Sequence, residues 1–314
     1  MSITKLDLER SFERTKFFRK HTPLLSKTFL DELWSCEVFI KCEQFQDIGA
    51  FKIRGASNFA LRLSNTEIKS GFVTHSSGNH AQAVAYMAHR LKTKSFIVMP
   101  ENANKKKVEN AIKWGAEVSF CKPTIEDRIN TAWDLSEKHN ATIIPPFDHE
   151  WIVEGQASCV MELLTQQPSI DVIITPLGGG GLLAGSSLAA HYFSPETEVW
   201  GAEPANAADG YEGLKKGERI TAIDSNTVAD GLRTFVGEVP FDIIKTYVNQ
   251  VYLADEEDIL PWMYRLWSET KTLIEPSCAV PFAALHKIRK QLKGKRIAII
   301  VTGGNVDLNQ FVSS

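Results

Sequence analysis

The chain has 314 residues, 43% of them hydrophobic and 23% charged, with a formal net charge of −3. That length and apolar fraction suffice to bury a sizeable core, in one large domain or two modest ones. The slight acidity argues against a nucleic-acid partner, because the only dense basic run, Lys105-Lys106-Lys107, fits a solvated helix surface. No apolar run reaches the roughly eighteen residues that span a bilayer. Met1-Ser2-Ile3-Thr4-Lys5 leads into charged sequence rather than a signal-peptide core, so no membrane partner and a cytoplasmic location are expected. Cys36, Cys42, Cys121, Cys159 and Cys278 are odd in number and form no C-x-x-C pair, which predicts reduced, partly buried thiols.

In chain order, an apolar run at 38–42 reads as a strand and 51–63 as a helix carrying Lys52. Runs at 72–74, 96–99 and 118–120 read as further strands, with crossover helices at 81–91 and 104–114, the latter ending at Gly115. A strand at 170–177, a glycine loop at 178–181 and a helix at 182–192 follow, then strands at 199–202 and 297–301. Short β-branched runs alternating with helices are the signature of an α/β protein with mostly parallel sheets. Segment 70–148 alternates strand and helix often enough to form a smaller inserted α/β domain. Segments 1–64 and 149–314 would then share a larger sheet, leaving a ligand cleft between the two.

Three segments carry chemistry. Lys52 follows an aromatic residue in Gly49-Ala50-Phe51-Lys52-Ile53-Arg54-Gly55, a setting that suits an imine-forming amine or, more blandly, an exposed helix lysine. Gly178-Gly179-Gly180-Gly181 joins a strand to a helix, where bare backbone N–H groups and the helix dipole favour a phosphate. Ser76-Ser77-Gly78-Asn79-His80 also links a strand end to a helix start, and its hydroxyls and amides would face an anion; Ser76 or Ser77 as a plain N-cap is the alternative. The spacing Gly179-x-Gly181-x-x-Ala184, with Glu203 about twenty residues on, also satisfies a dinucleotide fingerprint. A nicotinamide-dinucleotide-binding α/β protein gives no role to the other two segments. A serine hydrolase is disfavoured because Gly-x-Ser-x-Gly is absent.

Taken together and in this order, these segments and Gly303-Gly304-Asn305 resemble the fold-type II pyridoxal-phosphate enzymes, the serine/threonine dehydratase and serine racemase group. The likeness runs over nearly the whole chain and extends to Lys41-Cys42-Glu43-x-Phe45-Gln46 ahead of Gly49. It implies a tryptophan synthase β-like fold, two open mostly parallel sheets flanked by helices with the active site between domains, the larger of them holding the cofactor. It implies that Lys52 carries pyridoxal 5'-phosphate through an imine, with Phe51 against one ring face and Gly231 near the other. Gly178, Gly179, Gly180, Gly181 and Leu182 would hold the phosphate, Asn79 the ring hydroxyl and Thr302 the pyridine nitrogen. Ser76, Ser77, Gly78, Asn79 and His80 would take the substrate carboxylate, with Ser77 on the side away from Lys52.

The resemblance further implies a homodimer acting on a small amino acid. Glu203, Asp209 and the carbonyl of Ala207 resemble a divalent-cation site, for which oxygen ligands suit Mg²⁺, Ca²⁺ or Mn²⁺; an acidic loop completing a helix cap is the alternative. The implied reaction is a dehydratase (ammonia-lyase) reaction on serine, threonine or 3-hydroxyaspartate, yielding a 2-oxo acid and ammonia. Amino-acid racemisation, with Lys52 and Ser77 on opposite faces, is the alternative. Arg128 stands where relatives place an arginine that reaches a second substrate carboxylate, and it can equally be an exposed helix charge. Departures from the pattern are Ala50 before the Phe-Lys pair, Ala157-Ser158 after Gln156, and Pro145-Pro146-Phe147-Asp148-His149, which is closer to dehydratases.

Overall fold

The structure, a computed structural model, describes residues 3–103, 105–221 and 225–311. Met1 and Ser2 of the N-terminal reading, and Asn104 at the start of the expected 104–114 helix, lie outside the described residues. Ten strands are present among the described residues: β1 (Leu24–Leu25), β2 (Glu37–Cys42), β3 (Phe72–His75), β4 (Ser95–Pro100), β5 (Glu117–Cys121), β6 (Thr142–Ile143), β7 (Val172–Pro176), β8 (Glu198–Pro204), β9 (Gln250–Ala254) and β10 (Arg296–Val301). They form a six-stranded sheet ordered β1-β2-β10-β7-β8-β9 and a four-stranded sheet ordered β5-β4-β3-β6. Every pairing is parallel except β1 with β2. The fold is the α/β architecture of two mostly parallel sheets flanked by helices that the sequence predicts.

The central strands β4, β7 and β10 explain themselves by burial on both faces. Ile297, Ile299 and Val301 of β10 point into an apolar cluster with Trp34, Trp262 and Phe282, while Ala298 and Ile300 point into the opposite one with Val160, Leu183 and Leu188. Such strands read as unbroken apolar runs because helices cover both sides of a parallel sheet. The smaller sheet behaves alike: Phe72, Ile97 and Met99 face one cluster, and Val73, Phe96 and Val98 the other. Ile53, Ala56 and Phe59 of the helix Lys52–Ala60 join the first of these clusters.

One helix, Glu150–Gln166, registers the two chemistry-bearing helices against each other. A Cβ at Gly155 would lie 2.5 Å from the Arg54 carbonyl, and one at Gly185 would lie 2.6 Å from the Val153 carbonyl. Backbones this close fix Lys52–Ala60 and Gly181–Phe193 to a common support, so Lys52 and the glycine loop emerge side by side. Behind them lies a buried charge cluster. Arg54 bonds to Glu43 at 2.6 Å and to Glu162 at 3.2 Å, and Lys41 bonds to Glu162 at 2.5 Å. Buried ions persist only when paired and hydrogen-bonded, and here both carboxylates and both cations are.

Lys107 corrects the reading of the basic run as merely solvated. Its amine, on the helix Lys105–Lys113, pairs with the Asp230 carboxylate and so ties the smaller sheet's layer to the turn holding Gly231. All five cysteines are free and buried, as expected of reduced thiols.

Candidate active site

The candidate residues follow the C-terminal ends of parallel strands in both sheets. β10 runs into Thr302, β7 into the 178–181 loop, β3 into Ser76–His80, and β6 into the 144–149 linker. The Phe51 N–H donates to the Thr302 carbonyl at 2.9 Å, and Ala50 bridges to Gly303, so the lysine segment and the 302–305 turn lie together.

Lys52 sits at the centre. Its amine donates to the Pro146 carbonyl at 2.8 Å and stands 5.2 Å from the Phe51 ring centroid and 6.0 Å from that of Phe147. Surrounding protein disfavours the ammonium and pushes its pKa down to about 8, against an upward pull from Glu275. An amine that loses its proton near neutrality is what imine formation and proton abstraction require.

The glycine loop has the form of an anion cradle. Among the described residues, no main-chain N–H from 178 to 183 donates to a protein acceptor, and the helix starting at Gly181 adds its dipole. Gly180 has φ of +86°, in the left-handed region, and a Cβ at Gly179 would come within 2.3 Å of the Phe147 ring. Gly178 abuts the carbonyl of Gly231, whose own N–H donates to Ser277 Oγ at 3.2 Å.

The Ser76–His80 loop and Thr302 lie near these, while Arg128 is held on its own helix, Ile125–His139. Ser76 Oγ accepts from the Gly78 N–H at 3.2 Å, Ser77 lies partly buried between them, and a Cβ at Gly78 would meet nothing within 4 Å, so the loop borders open space. The His80 imidazole is buried and bonds to the Ile144 carbonyl at 3.0 Å, and burial with nearby Lys52 pushes its pKa down to about 3. What His80 turns to the loop is therefore its main chain. Thr302 Oγ1 lies 3.2 Å from Cys278 Sγ. Arg128, partly buried, donates to the Thr124 carbonyl at 3.3 Å, and its charge adds to burial in lowering the pKa of His75 at the end of β3.

Glu203 and Asp209 lie behind the glycine loop. Glu203 is fully buried and accepts from the Gly210 N–H at 3.0 Å and the Tyr211 N–H at 2.8 Å; Asp209 accepts from the Val236 N–H at 2.8 Å. Burial raises both carboxyls, Glu203 well above the usual range with help from Asp209, and Asp209 to about 6. Glu203 thus accepts main-chain N–H groups of the turn that follows it, and nothing at this carboxylate singles out a ribose.

Three groups escaped the sequence reading. Pro146 and Phe147 appeared there only as departures from a pattern, yet they contact Lys52 and the glycine loop. Glu275, buried, receives the Asn79 side-chain amide at 2.9 and 3.1 Å. Burial, then the Asp230 charge, pushes its pKa up to about 7. A glutamate directly before Pro276 reads from sequence as an ordinary helix start.

These residues fit pyridoxal phosphate on the structure's own terms: a readily neutral lysine, a cradle of free backbone N–H groups, an amide at Asn79 and a hydroxyl at Thr302. Fold and site together define a fold-type II pyridoxal-phosphate-dependent enzyme. The chain belongs to the pyridoxal-phosphate dependent enzyme family, which matches it over residues 16–303. It is 39% identical to the serine racemase of Dictyostelium discoideum, over 99% of this chain and 97% of that protein. It is 35% identical to the beta-hydroxyaspartate dehydratase of Paracoccus denitrificans, over 97% of each. The solved structure of maize serine racemase superposes with a TM-score of 0.94 at 37% identity, covering 97% of this chain and 94% of the other. Among the described residues, no helix is long and apolar enough to cross a membrane.

Proposed function

We propose that the protein is an ammonia-lyase for small β-hydroxy amino acids, serine, threonine or 3-hydroxyaspartate, releasing a 2-oxo acid and ammonia. The observation that carries this is the Lys52 amine, poised near neutrality beside a backbone anion cradle and the Ser76–His80 loop. Bound pyridoxal phosphate supplies the electron sink that makes the substrate Cα–H acidic. Gly178 to Leu182 hold its phosphate, Asn79 and Thr302 bind its ring, and Phe51 and Gly231 flank it. A threonine hydroxyl keeps no proton on a pyridine nitrogen, so the sink is moderate and favours prompt loss of a leaving group.

In this reading the Ser76, Ser77, Gly78, Asn79 and His80 loop orients the substrate carboxylate, and the Lys52 amine takes the α-proton. The β-hydroxyl leaves as water, and a second water hydrolyses the resulting enamine, through its imine, to the 2-oxo acid and ammonia. Arg128, close to His75 at the loop's entrance, takes the second carboxylate of 3-hydroxyaspartate. Ser77, in the same loop and able to return a proton from the other face, supports racemisation as the second reading.

A divalent cation, Mg²⁺, Ca²⁺ or Mn²⁺, bound by Glu203, Asp209 and the Ala207 carbonyl belongs to the proposal. Two buried carboxylates with no ion-pair partner among the described residues support it. A cytoplasmic homodimer completes it, resting on the family resemblance. The test is incubation of the reconstituted enzyme with serine, threonine and both diastereomers of 3-hydroxyaspartate, followed by assay of 2-oxo acid and of the opposite enantiomer. Oxo-acid release from at least one is expected; inversion alone would establish the racemase, and neither product would overturn both readings. Arg128→Ala should lower turnover of 3-hydroxyaspartate about tenfold or more while sparing serine, the effect of one charge-assisted hydrogen bond.

A further inference from the structure

Glu275 stands at the N-cap position of the helix Pro276–Lys287 yet makes no side-chain cap. Its backbone N–H donates to the Gly303 carbonyl at 3.1 Å, and Pro276 at the first helical position fixes the turn. The carboxylate is thereby directed onto Asn79, whose Nδ2 lies 2.9 Å from Oε1 and 3.1 Å from Oε2. Among the described residues it has no ion-pair partner, although Lys52 and Lys107 lie close enough to draw its pKa down against burial and Asp230. The Lys52 amine is given to Pro146 and that of Lys107 to Asp230 instead.

Donor counting shows what this contact accomplishes. Asn305 Nδ2 carries two hydrogens, and both are used, one on the Ile48 carbonyl and one on Asn79 Oδ1, each at 2.8 Å. The Ile48 carbonyl accepts only, so Asn305 cannot flip without facing oxygen against oxygen. Asn79 Oδ1 is fixed in consequence, and Asn79 Nδ2 must face Glu275. One Nδ2 hydrogen goes to the carboxylate and the other remains available. Gly303 makes room for the pair, since a Cβ there would lie 2.8 Å from Glu275 Oε1 and 3.1 Å from Asn79 Nδ2.

We propose that Glu275 is a positioning residue of this site: its carboxylate, at the end of the chain Ile48–Asn305–Asn79–Glu275, orients the Asn79 amide so that one N–H is presented to the cofactor ring oxygen. The inference rests on the pyridoxal-phosphate reading and adds to it the residue that sets Asn79. Glu275 touches neither substrate nor reacting atoms in this role.

The experiment is titration of the apo protein with pyridoxal phosphate, following the visible absorbance band, for wild type, Asn79→Ala, Glu275→Ala, Glu275→Gln and the double alanine variant. Each alanine change should weaken cofactor affinity by about tenfold, with a shifted absorption maximum, and the double variant should be no weaker than the worse single one. Glu275→Gln keeps one acceptor oxygen and should bind within a few-fold of wild type. If Glu275→Ala fails to fold by thermal melting of the apo protein, Glu275→Met, which fills the space without an acceptor, takes its place. Wild-type affinity and spectrum in the alanine or methionine variant, or losses that multiply in the double variant, would overturn the proposal. Absence of any band in wild type would sink the cofactor reading instead, so the two failures are distinguishable.

Discussion

Lys52 Nζ and the Pro146 carbonyl oxygen are 2.8 Å apart, joined by a hydrogen bond that ties the start of one helix to the linker after β6. The same linker sets Phe147 against Gly179 and gives Asp148 to the N–H groups of Glu238 and Val239 at 3.0 and 2.9 Å. A single short segment therefore holds the lysine, the anion cradle and the 237–239 turn in register. A neutral amine still donates to a carbonyl, though more weakly than an ammonium, so the contact can persist when burial drives the Lys52 proton off.

The first prediction concerns pH. Lys52 has a folded-state pKa near 8, below its ordinary 10.5, so between these values the unfolded chain holds the proton more tightly. The cost to the apo fold is therefore full below pH 8 and fades as pH rises toward 10.5. Discounted for partial exposure, that cost is roughly 1–2 kcal/mol. Urea denaturation of apo Lys52→Met should show a gain of that order at pH 7 that disappears by about pH 10.5; a gain independent of pH would point to packing instead.

Gly179→Ala should weaken pyridoxal phosphate binding by about tenfold or more, because the new methyl meets the Phe147 ring at 2.3 Å and must push the loop aside. Adding Phe147→Ala should recover much of the loss. Equal cofactor affinity in Gly179→Ala and wild type, by absorbance titration, would show that the loop does not hold the phosphate.

Glu162 joins Lys41, Arg19 and Arg54 in the buried cluster, and those cations hold its carboxyl down to about 2 despite burial. Its contribution is present above the ordinary carboxylate value of 4.5 and is lost as pH falls toward 2. Glu162→Ala leaves Lys41 and Arg19 without a carboxylate partner, while Arg54 keeps Glu43, and should cost about 3–5 kcal/mol at pH 7 in chemical denaturation. A loss below 1 kcal/mol, roughly that of a surface pair, would contradict the reading.

Asp209 presents the opposite sign. Its folded-state pKa, pushed up to about 6 from 3.8, means that stability from this group declines as pH rises between those values. A divalent cation relieves the repulsion with Glu203, so Mg²⁺ should raise the melting temperature at pH 7.5 and much less at pH 5. Asp209→Asn should abolish the response. An unchanged Mg²⁺ effect in that variant would place the cation elsewhere.

What was legible in the sequence was whatever chemistry forces into local spacing. Lys52 after Phe51, the 178–181 glycines and the 76–80 loop each need particular residues next to one another, and the structure sets them near each other. Six of the seven apolar runs mark strands with both faces buried, and the seventh, 118–120 in β5, is half-exposed, whereas β1 and β6, each two residues long, and β9, with exposed Gln250 and partly exposed Tyr252, carry no such run. Glu275 and Pro146 were not legible, since their partners Asn79 and Lys52 lie 196 and 94 positions away. Neither residue type announces such a contact. The same holds for Lys107, whose run looked uniformly solvated until the fold set Asp230 opposite it.

The central claim, that Lys52 is the covalent anchor of pyridoxal phosphate, is tested most directly by borohydride reduction of the reconstituted protein followed by peptide mapping. The account predicts one pyridoxyl group, fixed on Lys52, with the visible absorbance band lost on reduction and absent from Lys52→Ala. A pyridoxyl group on any other lysine, or a band retained in Lys52→Ala, would contradict it.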